Sequence, residues 1–71
     1  MDEEDRLVDV VMGAVENLRA AKGRQMDNLN SGAGPVTQGQ DERLVQWWED
    51  ALAQAAGAWR DFRVQRLAAA K

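Results

Sequence analysis

The chain has 71 residues, a formal net charge of −3, and no Cys, His or Tyr. That length holds one small domain, and a core this small is marginal unless disulfides, a metal or association supports it. The absence of Cys and His excludes disulfides and nearly every zinc or copper site, which leaves oligomerisation or a folding partner. Apolar residues make up 45% of the sequence, but 12 are Ala, so only 20 larger apolar side chains remain to build a core.

The N-terminus, Met1-Asp2-Glu3-Glu4-Asp5, has neither the basic start nor the apolar run of a secretory signal. The longest apolar-rich run, from Ala51 to Trp59, is far short of a bilayer span. A cytoplasmic chain without a membrane segment is the expectation, or a virion component if it belongs to a particle.

Helix 1 is predicted over residues 3–29. Leu7, Val11, Ala14, Leu18 and Ala21 recur at spacings of four and three and share one face. Val8, Val15 and Met26 widen that face, and Leu29 returns to it. Gly23 follows Lys22 and offers a possible C′ glycine. A stop there would leave a connection of more than about 12 residues, which is uncommon in compact domains, so the helix is expected to continue.

The stretch from Asn28 to Thr37 holds Gly32, Gly34 and the single proline, Pro35, and is assigned as the loop, about residues 30–37. Helix 2 is predicted over residues 38–70. Thr37 and Gln40 have the spacing of a capping box, and Asp41 and Glu42 would then complement the helix dipole. Leu44, Trp48, Ala51, Ala55, Ala58 and Phe62 form one stripe; Val45, Leu52 and Trp59 form a second beside it that shares Trp48, Ala55 and Phe62. Helix 2 is the longer, and the segment from Gln65 to Lys71 is expected to overhang, either frayed or held by a neighbour.

Two helices joined by a short loop fold back as an antiparallel hairpin. Charge favours this pairing. The acidic start, Asp2 to Asp5 with Asp9, would lie beside Arg60, Arg63, Arg66 and Lys71. Arg19, Lys22 and Arg24 would lie beside Asp41, Glu42, Glu49 and Asp50. Each exposed pair contributes only about 0–1 kcal/mol, but a parallel pair would set like charges together.

Both apolar arcs are about 200° wide, more than one neighbour can cover. The expected fold is therefore all-α: a two-helix hairpin that dimerises into a four-helix bundle or packs into a larger assembly. Leu7, Val11, Ala14, Leu18, Leu44, Ala51, Ala55 and Ala58 are assigned to packing within the hairpin. Val8, Val15, Val45, Trp47, Trp48, Leu52, Trp59 and Phe62 are assigned to a partner or self-association interface, with Trp47 a candidate anchor. Gly13 and Gly57 project from the polar faces and suit a close outer contact.

No His, Cys or Tyr is present as base or nucleophile, and the only hydroxyls are Ser31 and Thr37. Gly32-Ala33-Gly34 follows no strand and is no phosphate loop. The acidic N-terminus is better read as a solvated, dipole-complementing end than as a metal site. With a pI near 4.7 and basic residues interleaved with acidic ones, nucleic acid is a poor partner, and mixed charge on the polar faces disfavours a membrane surface. The expectation is a non-catalytic protein–protein interaction module without cofactors. It would be a small structural or assembly subunit, of the kind found in a bacteriophage particle, or alternatively a regulator that blocks a cellular protein through its Trp-bearing face.

Overall fold

The computed structural model describes residues 2–70. Two helices, α1 (Glu3–Asn30) and α2 (Pro35–Ala69), form an antiparallel hairpin with overall dimensions of 57 × 18 × 13 Å. α1 passes through Gly23 without a break.

α1 ends in a Schellman turn. The Gly32 amide donates to the Leu29 carbonyl (3.2 Å) and the Ala33 amide to the Asn28 carbonyl (2.9 Å), satisfying two of the otherwise orphaned carbonyls. This geometry needs a left-handed residue, and Gly32 supplies it with φ +79°. Ser31 Oγ reaches back to the Asp27 and Asn28 carbonyls. The connection is therefore only residues 31–34.

α2 starts earlier than the predicted position 38, and the capping box is not used. Gly34 is the N-cap, Pro35 occupies the first turn, and no side chain caps the start. Pro35 wins because its fixed φ suits the first helical position and it brings no amide hydrogen that would need a partner. Thr37 becomes an ordinary first-turn residue. Gln38 reaches back with Nε2 to the Ala33 carbonyl at 2.7 Å.

The seam between the helices follows a heptad rule on both sides. On α1 the covered positions are Glu4, Leu7, Val11, Ala14, Leu18, Ala21, Gln25 and Asn28; on α2 they run from Asp41 through Val45, Trp48, Leu52, Ala55 and Trp59 to Phe62. Ala14, Ala21 and Val45 are the buried apolar residues, and the others are half-buried apart from Asp41, which is buried. The register is pinned at both ends. Asn28 Nδ2 donates to Asp41 Oδ2 at 2.7 Å beside the turn, and Arg66 Nη1 donates to Glu4 Oε2 at 2.6 Å at the open end. Between them, Ala21 lies level with Trp48, Leu18 with Leu52, Ala14 with Ala55 and Leu7 with Phe62. A small residue meets a large one at Ala21–Trp48, large meets large at Leu18–Leu52 and Leu7–Phe62, and two small residues meet at the Ala14–Ala55 waist, where the helix axes can approach closely.

This register moves the extra length of α2. Beyond Asn28 and Asp41, α1 has two more residues before the turn while α2 has six. The additional helical turn sits at the loop and not in a long C-terminal overhang. Arg66 is tied to Glu4, so only the last few residues of α2 project; Lys71 lies outside the described residues.

Candidate association surface

The seam takes the second of the two stripes expected on α2, Val45, Leu52 and Trp59, together with Trp48, Ala55 and Phe62, which the two stripes share. Val45, assigned to an outer interface, is buried inside the hairpin. Leu52, Trp48, Trp59 and Phe62, also assigned outward, are half-buried on the same seam. Leu44 and Ala58, assigned to hairpin packing, are exposed, and Ala51 is half-buried at the seam's edge. The face of α2 is rotated by one residue from the expected one because Asp41, with the seam's polar partners on α1, sets its phase.

Flanking the seam, the hairpin has two different faces. In an antiparallel pair, flanks of the same kind meet on the same side. On the first face, Val8, Val15 and Leu29 of α1 are interrupted by Lys22, whose Nζ lies 3.9 Å from Glu49 Oε1 of α2. Arg63 Nη1 lies 3.8 Å from Glu4 Oε1 and its guanidinium sits 5.6 Å over the Trp59 ring. This face is therefore apolar on α1 and charged on α2.

The second face is different in kind. On α1 it carries Val10, Gly13, Asn17 and Ala20; on α2 it carries Leu44, Trp47, Ala51, Gln54 and Ala58. A shallow cleft lined by residues of both helices, among them Asn17, Ala20, Arg24 and Leu44, shows that the two rows adjoin. From Val10 to Ala20 and from Leu44 to Ala58 neither row carries a charged residue; Arg24, the next position of the α1 row toward the turn, borders the same cleft and pairs with Asp41. The spacings, 3-4-3 and 3-4-3-4, are themselves those of a helix-packing seam. Val10 and Asn17 had not been singled out from the sequence. Their signal was charge depletion at heptad spacing rather than hydrophobicity.

Trp47 stands at the centre of this chemistry. It is 60% exposed, and its ring meets Trp48 edge-on with centroids 4.5 Å apart and planes at 88°. Trp48 fills the seam opposite Ala21, so it holds Trp47 in place from behind. Beside them opens an apolar cleft of about 530 Å³ bordered by Gln40, Arg43 and Leu44. Aromatic pairs of this geometry contribute about 0.5–1.5 kcal/mol beyond their buried area.

Gly13 and Gly57 have no neighbour within 4 Å of where a Cβ would stand. The hairpin itself leaves room for a side chain at both. Among the described residues there is no group of three or more acidic, His or Cys side chains placed to hold a metal ion, and no helix is long and apolar enough to cross a membrane. Comparison with protein-family models, with curated proteins and with solved structures finds no match.

Proposed function

We propose that this chain is a non-catalytic protein–protein interaction module, a small structural subunit that completes its apolar packing by association. The observation that carries this reading is the surface area. The hairpin exposes 5593 Å², whereas a compact monomer of 7.9 kDa exposes about 4,400 Å². The exposed side chains include Val10, Val15, Leu44 and Trp47 on the flanks of the seam, and clustered exposed apolar side chains mark interaction sites. A repeated subunit of a particle, such as that of a bacteriophage, suits a chain of this size whose side chains include no His, Cys or Tyr to carry catalysis.

A second reading draws on Trp47. An exposed Trp backed by a second Trp and bordered by an apolar cleft is also what a regulator would present to a foreign protein. Sedimentation equilibrium with circular dichroism over one dilution series separates the two. A helical oligomer whose helicity falls on dilution supports the subunit. A stable helical monomer at high concentration removes that reading and leaves the regulator.

A further inference from the structure

We infer that the uncharged face of the hairpin is closed by a second copy of the same chain, giving a two-fold symmetric four-helix bundle in which the rows from Val10 to Ala20 and from Leu44 to Ala58 form the inter-subunit seam. The inference rests on the subunit reading above and adds to it the occupant and the face. Three observations carry it.

First, the two rows have the 3-4 spacing of knobs-into-holes packing and sit on the same side of the hairpin. The opposite face is interrupted along its length by Lys22, Glu49 and Arg63, whereas this one meets a charge only toward its turn end, at Arg24. Depletion of charge is the compositional mark of an interface centre.

Second, the face is complementary to itself. Its bulky side chains, Leu44 and Trp47, lie toward the turn on α2. Small ones, Gly13, Ala20, Ala51 and Ala58, fill most of the rest. With the two-fold axis along the bundle, Trp47 of one copy falls between Ala20 and Arg24 of the other's α1; with the axis across the bundle it falls near Ala58 of α2. Both ends of the face carry both signs of charge, Arg6 with Asp61 at the open end and Asp27 with Arg43 near the turn. A copy therefore finds opposite charges whichever way it lies.

Third, the area suffices. A stable dimer buries about 800 Å² on each partner. The hairpin as a whole exposes about 1,200 Å² more than a compact chain of its mass, spread over both faces and both ends, so burying about 800 Å² on one face would remove about two thirds of it.

The test uses the full chain and three variants, Ala20→Glu and Ala51→Glu on the uncharged face and Val15→Glu on the other, in sedimentation equilibrium with helicity followed in parallel. The wild type is expected to be a dimer. Ala20→Glu and Ala51→Glu are each expected to weaken it by about a hundredfold, since each would desolvate a carboxylate in the seam. Val15→Glu is expected to stay within about threefold of wild type. Ala20 is exposed in the hairpin, so Ala20→Glu decides the matter even if Ala51→Glu fails to fold. Dimers that survive both face variants but are lost in Val15→Glu would overturn the inference while leaving the subunit reading intact. A monomeric wild type at about 100 μM would overturn both, because association that weak could not sustain a subunit.

Discussion

Asn28 and Asp41 meet across the turn, Nδ2 to Oδ2 at 2.7 Å, and Asp41 is only 5% exposed. The carboxylate is the buried polar residue of the seam. Arg24 Nε lies 4.0 Å from its other oxygen, Oδ1. Thirteen residues separate the pair, so the bond clamps the last turn of α1 to the second turn of α2 and fixes where every later pair along the seam falls.

Removing one partner should cost more than removing both. Asn28→Ala leaves a buried carboxylate oxygen without its donor and should destabilise the hairpin by about 1–3 kcal/mol. The double variant Asn28→Ala, Asp41→Leu should recover most of that loss, because an apolar pair suits the seam. Urea unfolding midpoints measure both. A harmless Asn28→Ala would show that the bond does not hold the register.

The Ala14–Ala55 waist is a packing limit. Ala14 is buried at 6% exposure and stands level with half-buried Ala55. Ala55→Leu should overpack it by about 1–3 kcal/mol, or spread the helices. Thermal unfolding reads the loss, and an unchanged Tm would mean that the axes are farther apart than the small residues imply.

The glycines should respond oppositely. Gly32 has φ +79°, so Gly32→Ala should destabilise by about 1 kcal/mol. Gly39 lies inside α2 with open space at its Cβ position, so Gly39→Ala should stabilise by up to about 1 kcal/mol. Equal effects of the two substitutions in chemical denaturation would argue against the Schellman turn.

Gly13 separates folding from association. Gly13→Gln should raise hairpin stability by about 0.5–1 kcal/mol, since nothing blocks the new side chain. It should also weaken the self-association of the uncharged face. Helicity and sedimentation measured on the same sample report the two effects, and a gain in both would place Gly13 outside any contact.

Trp59 carries a buried indole N–H without a partner in the hairpin. Trp59→Phe loses apolar area but removes that orphaned donor, whose desolvation costs about 1–3 kcal/mol. The net change should lie within about 1 kcal/mol of wild type. A loss well above about 1 kcal/mol in thermal unfolding would show that the ring's packing outweighs the orphaned donor.

The two helices, their antiparallel order and the passage through Gly23 were legible in the sequence, because 3-4 periodicity and the clustering of Gly32, Gly34 and Pro35 act locally. The pairing of the acidic start with the basic end was legible too, and Glu4 does meet Arg63 and Arg66. Two things were decided only in three dimensions. The start of α2 fell to Pro35 because a proline at the first position outcompetes a capping side chain two residues later. The face of α2 that enters the seam fell to Val45, Leu52 and Trp59 because an apolar arc of about 200° contains two adjacent stripes that periodicity alone ranks equally. The tie was broken by long-range partners, Asn28 for Asp41 and Glu4 for Arg66. Leu44, Ala51 and Ala58 were thereby left on the outer, uncharged face with Trp47, since a heptad seam has room for only one of two neighbouring rows.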